Sequence, residues 1–143
     1  MDKKDTLKLD NQVCFSLYAA SREVIKRYKP ILSKYNLTYT QYITMLVIWE
    51  YKNISVKDIG KKLHLDSGTL TPLLKKLEGM ELIKKYRDIE DDRIVIVEVT
   101  EKGMELKEKV SDVPMKLFCS VGLPKEKLLK LKENLDELIK ILD

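Results

Sequence analysis

Between residue 10 or 11 and residue 35, Cys14, Tyr18, Ser21, Ile25 and Tyr28 recur at alternating intervals of four and three, with Leu17 three residues after Cys14 on the same face, the period of one long helix. Pro30 falls one turn before its expected end, where it should kink or interrupt the helix. Thr38 then reads as the cap of a second helix over 39–51, with Ile43, Leu46, Val47 and Trp49 as apolar surface. Ser55 opens "SVKD", a hydroxyl cap with a carboxylate three residues on, and starts a short helix bearing Val56, Ile59 and Leu63. Asp66 reads as the cap of "SGTLTPLLKKLE", whose core stripe is Leu70, Leu73, Leu74 and Leu77 and whose end is expected at Gly79 in a left-handed conformation. Pro72 inside this pattern removes a helical hydrogen bond, so the regular helix is expected to start only near Thr71.

The period then changes. Residues 82–87 and 93–99 are rich in β-branched and alternating positions around "DIEDD", which predicts a hairpin. Thr100 is expected to cap a helix reaching about residue 117. Pro124 opens a last helix in which Leu128, Leu131, Leu135, Leu138 and Leu142 recur at intervals of three and four. The expected fold class is therefore mainly α (α+β), a winged helix-turn-helix over 36–100 inside a single domain spanning 1–143, with the helices of 10–35 and 101–143 left for dimerisation.

Composition narrows the class. Of 143 residues, 44% are apolar and 35% charged, as in a soluble globular protein rich in surface helix. No apolar run approaches the roughly 18 residues of a membrane span, and the charged start "MDKKDTLKLDNQ" lacks a signal peptide's apolar core. A cytoplasmic, non-membrane protein with reduced thiols is expected. One histidine, His64, and two distant cysteines predict no metal cluster, and nothing calls for a cofactor.

Charge distribution says more than the net +4. Residues 55–87 carry 8 Lys/Arg against 4 Asp/Glu, whereas residues 88–100 carry 1 against 5. Two short helices joined by a tight turn, the second starting with small polar residues, suit the major groove of double-stranded DNA. Ser67, Thr69 and Thr71 are placed to reach base edges or phosphates, and Pro72 to touch thymine methyls. Lys75 and Lys76, with Lys61 and Lys62 before them, can neutralise phosphates. The hairpin would be a wing, with Lys84, Lys85 and Arg87 on its stem and Arg93 near its tip. Its acidic residues (Asp88, Glu90, Asp91 and Asp92) argue against DNA, unless Asp91 or Asp92 braces Arg93 for a narrow minor groove. The same helix start is also ordinary capping chemistry on a solvated face.

Together, "LTYTQYITMLVIWE", "LDSGTLTPLLKKLEGMELI", "DDRIVIVEVTEKG" and "CFSLYAASREVIKRYKP" resemble the MarR family, and more narrowly its organic-hydroperoxide-sensing OhrR branch. The resemblance covers residues 10 to 118, and the order of elements continues to the end. It implies a homodimeric repressor, not an enzyme, that binds an inverted-repeat operator with the recognition helix in the major groove and Arg93 in the minor groove. It further implies a redox sensor in which organic hydroperoxide oxidises Cys14, with Tyr28 and Tyr39 approaching that thiol across the dimer.

Helix geometry agrees with the last point. Cys14 and Tyr28 are nearly four turns apart on one face, roughly 21 Å along one helix, so only the Cys14 of another chain can meet Tyr28. The partial positive charge of a helix start favours the thiolate, the form that attacks peroxide, and phenol donors stabilise it further. Cys119, in "LFCSVGLP" between the last two helices, resembles the trapping thiol of two-cysteine members, which bridges subunits; one-cysteine members use a small thiol instead. Two rivals remain: a MarR-type repressor governed by a small ligand, and a thiol peroxidase. For the latter only Arg22, two turns from Cys14, offers a further polar group.

Overall fold

The computed structural model describes residues 2–143. The chain divides into two compact units, one combining the residues up to Arg27 with Pro114–Asp143, the other formed by Tyr28–Val113.

The central unit is the winged helix-turn-helix. Its first full helix, α2 (Tyr39–Tyr51), starts in a complete capping box: Thr38 accepts from the Gln41 amide, and the Gln41 side chain accepts from the Thr38 amide. A short strand, β1 (Asn53–Ser55), leads into α3 (Val56–Leu63), where Ser55 accepts from the Asp58 amide as its spacing predicts. Helix α4 (Ser67–Gly79) is capped by Asp66, whose Oδ1 accepts from the Thr69 amide at 2.7 Å. Leu70, Leu73, Leu74 and Leu77 are all buried, joined by Met45, Ile48, Ile59, Ile83 and Val97. Each such aliphatic side chain contributes about 1.5–3 kcal/mol of burial.

The wing strands β2 (Ile83–Arg87) and β3 (Val95–Val99) pair antiparallel with Ile83 opposite Val99 and Lys85 opposite Val97. Strand β1 adds to the other side of β3, Ile54 opposite Val97, giving the order β1-β3-β2. Helix α5 (Glu101–Lys109) follows, capped by Thr100. It lies so close to the α4–β2 turn that a Cβ at Gly103 would stand 2.4 Å from the Leu82 carbonyl oxygen. In the same place the Trp49 indole nitrogen donates to the Gly103 carbonyl at 2.8 Å.

The other unit holds the beginning of α1 (Val13–Leu32), most of α6 (Val113–Val121), and α7 (Lys125–Leu142). Before α1, two 3₁₀ turns (Asp5–Leu7 and Leu9–Asn11) are tied by the Gln12 side chain, which donates to the Thr6 and Lys8 carbonyls. Helix α7 buries none of its residues, although its leucines follow the expected period.

Several boundaries differ from expectation. Helix α1 starts at Val13 because Gln12 is extended, and it ends at Leu32, two residues past Pro30, with a 3₁₀ turn over Ser33–Tyr35. Helix α4 is regular from Ser67 and tolerates Pro72, which leaves the Gly68 carbonyl without its helical donor. Gly79 does not adopt the left-handed conformation; Glu81 does, at φ 63°. The helix expected from Thr100 to about residue 117 is two helices, interrupted before Pro114, whose ring and missing N–H forbid continuation. Cys119 consequently lies in the last turn of α6 rather than in a linker.

Two glycine-to-alanine changes should act in opposite directions. Gly103→Ala is expected to lose about 1–3 kcal/mol, because the obstructing atom is backbone and cannot move aside. Gly79→Ala, with nothing within 4 Å of the added Cβ, should gain about 0.5 kcal/mol from helix propensity. Urea denaturation of both variants checks the signs.

Candidate functional site

Helix α4 presents two distinct faces. Its leucine stripe is buried, whereas Ser67, Thr69, Thr71, Pro72, Lys75 and Lys76 are all exposed on the other side. The hydrogen bonds from Thr69 to Asp66 hold that carboxyl below the usual carboxylate range, so the cap stays charged and the helix start stays fixed.

The wing loop is built from its acidic residues. Asp91 takes Arg93 in a two-point grip, Nε to Oδ1 at 2.9 Å and Nη2 to Oδ2 at 2.9 Å, and also accepts from the Arg93 amide. The Arg93 side chain nevertheless remains 87% exposed. That bonding holds the Asp91 carboxyl below its ordinary range. Arg87 donates to the Asp92 carbonyl at 2.7 Å, Lys85 pairs with Glu78 at 3.8 Å, and Lys84 pairs with Glu98 at 2.9 Å. Arg93 is thus exposed at the tip while a single carboxylate grips it at two nitrogens.

The tyrosines gather in the central unit. The Tyr28 and Tyr39 rings lie 4.7 Å apart, centroid to centroid, and Tyr42 packs on Tyr28 at 5.9 Å. Sequence reading missed Tyr42, although its spacing of three from Tyr39 places both on one face of α2. Burial pushes the Tyr28 phenol up to about 12, and the Tyr39 and Tyr42 phenols add to that rise. Burial raises Tyr39 as well; Tyr42 rises through burial first and through Tyr39 second. All three phenols therefore keep their protons at neutral pH and remain hydrogen-bond donors.

Both thiols are free and exposed in the terminal unit. Cys14 is the second residue of α1, within the first turn. Arg22 is engaged by Tyr18, donating from Nη1 to the phenol oxygen at 2.8 Å with its guanidinium 5.4 Å from the ring centre. Arg27 donates to the Ser120 carbonyl at 3.2 Å and to its hydroxyl at 3.5 Å, one residue beyond Cys119. Among the described residues no cluster of His, Cys, Asp and Glu is arranged for a metal ion, and no helix is long and apolar enough to cross a membrane.

The tyrosine cluster has a signature in pH. The folded chain holds the Tyr28 proton more tightly than the unfolded chain, so this stabilising contribution is complete below about pH 10 and is lost as pH rises towards about 12. Wild-type protein should therefore lose more stability over that window than Tyr28→Phe. Absorbance titration at the phenolate band should show the latest-ionising phenol disappear in that variant.

The sequence matches the family described as Transcriptional regulator SarA/Rot over residues 26–110. It is 48% identical over 141 residues to the organic hydroperoxide resistance transcriptional regulator of Bacillus subtilis (strain 168), covering 99% of this chain and 96% of that protein. Among solved structures, reduced AbfR bound to DNA superposes with a TM-score of 0.80 at 34% identity, covering 99% of both chains. Disulfide-formed AbfR superposes with a TM-score of 0.67 at 35% identity, covering 96% of both; AbfR is a Staphylococcus epidermidis protein. A near-complete match at this identity, on a winged helix-turn-helix, places the chain in the MarR family of transcriptional regulators, in its organic-hydroperoxide-sensing branch.

Proposed function

We propose that the protein is a homodimeric, redox-sensing repressor that leaves its operator when organic hydroperoxide oxidises Cys14. The observation that carries this reading is the pair of protonated phenols, Tyr28 and Tyr39, with rings 4.7 Å apart, in a chain that carries Cys14 in the first turn of α1. Two donors side by side suit a thiolate or a sulfenate, and the helix rise requires that the thiol come from a second chain. Unburied leucines along α7 and the exposed Val13, Leu17 and Tyr18 of α1 offer apolar surface for that second chain.

The chemistry follows in two steps. The Cys14 thiolate attacks the outer peroxide oxygen; an S–O bond forms, the O–O bond breaks, and its electron pair leaves with the alkoxide, which takes a proton to become an alcohol. The resulting sulfenic acid then reacts with the Cys119 thiol of the other chain. An S–S bond forms, the S–O bond breaks, and water leaves with the thiol proton. AbfR, 35% identical to this chain, has been solved in a disulfide-formed state, which supports a disulfide step here. Half-sites on DNA lie a helical turn or its multiple apart, so altered spacing between reading helices costs affinity.

On DNA, Ser67, Thr69, Thr71 and Pro72 would face base edges in the major groove while Lys75 and Lys76 neutralise phosphates. Lys85 and Arg87 would act from the wing stem, and Arg93, braced by Asp91, would enter the minor groove.

The deciding experiment is a gel shift on the DNA upstream of the protein's own gene, with and without cumene hydroperoxide. Wild-type protein should bind and be released, whereas Cys14→Ser should bind and stay; release of that variant by peroxide would remove Cys14 from the mechanism. Cys119→Ser should lose the peroxide-induced dimer band on a non-reducing gel, and an unchanged band would exclude Cys119.

The wing makes a separate claim. Arg93→Ala should weaken operator binding roughly tenfold at matched salt, the scale of one or two kcal/mol for a groove contact. Unaltered affinity would sink the minor-groove assignment.

A further inference from the structure

We infer that Arg27 is a positioning residue for disulfide closure, acting as a clasp that holds the last turn of α6, and with it Cys119, against α1 until the sensor is oxidised. The inference rests on the reading of Cys119 as the trapping thiol and adds the element that controls its rate.

The geometry is local to the terminal unit. Cys119 and Ser120 are adjacent in the final turn of α6, where the last carbonyls have no helical donor. A single guanidinium nitrogen of Arg27 serves two of the oxygens there, the Ser120 carbonyl at 3.2 Å and its hydroxyl at 3.5 Å. A cation at this end of a helix also complements the helix dipole. Immediately beyond, Gly122 holds a left-handed conformation at φ 74°, its amide donating to the Phe118 carbonyl, and an added Cβ there would meet nothing within 4 Å. The turn bearing Cys119 is therefore pinned on one side by Arg27 and bordered on the other by an uncrowded glycine.

That arrangement sets the direction of the effect. In the proposed clasp, closure onto a Cys14 sulfenic acid on a second chain turns Cys119 away together with Ser120, and both Arg27 contacts break first. Both are solvent-exposed and long for hydrogen bonds, so they delay the second step without preventing it. The first step, attack of the Cys14 thiolate on peroxide, does not involve the clasp. Arg27 lies on the same helix as Cys14, so one element carries the sensing thiol and the restraint on its trap.

The test separates the two steps. Dimedone trapping of Cys14 in a Cys119→Ser background gives the rate of sulfenic acid formation, and non-reducing gels after one equivalent of cumene hydroperoxide give the rate of closure. Arg27→Ala is expected to leave the first rate unchanged and to speed closure roughly three- to tenfold, the loss of about one charge-assisted hydrogen bond at an exposed site. Arg27→Lys, which keeps the charge and can keep one contact, should close at an intermediate rate, which a general loosening of the fold would not produce. Closure of Arg27→Ala at the wild-type rate or slower overturns the clasp while leaving the Cys119 reading intact. Wild-type protein that forms sulfenic acid but never an intersubunit disulfide overturns both.

Discussion

The reading head depends on one close approach, where α5 comes down on the turn between α4 and β2. Only hydrogen fits at position 103, because the Leu82 carbonyl occupies the place of a side chain. Around that contact the hydrogen bonds converge. Trp49 donates to the Gly103 carbonyl, the Thr100 hydroxyl donates to the Glu81 carbonyl while capping Gly103, and the Thr100 amide donates to the Leu82 carbonyl. Leu82 leads into β2 and Thr100 follows β3, so the same junction fixes the Ile83–Val99 pair from which the wing register runs. The wing therefore projects from a clamped base, and the left-handed Glu81 is carried by that clamp rather than by its own preference.

A second constraint concerns α1. It is one helix from Val13 to Leu32, so Cys14 and Tyr28 are held apart by its rise however the rest of the chain moves. A sensor using both residues is incomplete in a single chain, and in the proposed reading dimerisation is part of the chemistry rather than an accessory to it. The phenols suit that role because burial and mutual proximity keep them protonated. A donor that ionised near neutrality would repel the thiolate it is meant to hold.

What the sequence revealed, and what it hid, follows from the range of the interactions involved. Helices α2, α3 and α4 were legible because their caps, Thr38, Ser55 and Asp66, act within three residues and their apolar faces repeat locally. Strand β1 was not, since three residues carry no alternation and exist as a strand only through Val97 and its neighbours on β3. The break between α5 and α6 had a visible cause in Pro114, but the leucine and valine spacing on either side reads as continuous. Gly79 misled because glycine permits a left-handed ending without requiring one; tertiary bonds placed it at Glu81. Within the site, the sequence narrowed the brace on Arg93 to Asp91 or Asp92, and the side-chain bonds single out Asp91. The Tyr42 contact and the Arg27–Ser120 bonds join distant segments and have no local signature beyond a shared helix face.

The acidic wing tip, which argued against DNA when read as a charge count, takes another meaning once the Asp88 and Asp91 carboxylates are seen to accept hydrogen bonds within the loop. Asp91 holds both the backbone and the guanidinium of Arg93, and Asp88 accepts from the Glu90 amide as the Asp92 carbonyl accepts from Arg87. These bonds build a tight loop in which the Asp88 and Asp91 carboxylates serve the geometry of the wing. A free arginine loses much side-chain entropy on entering a groove, whereas one already gripped at two nitrogens has lost it beforehand. In the proposed reading the flanking carboxylates lower the raw electrostatic attraction and in exchange present a single oriented guanidinium. That exchange favours recognition of groove shape over indiscriminate binding to phosphate.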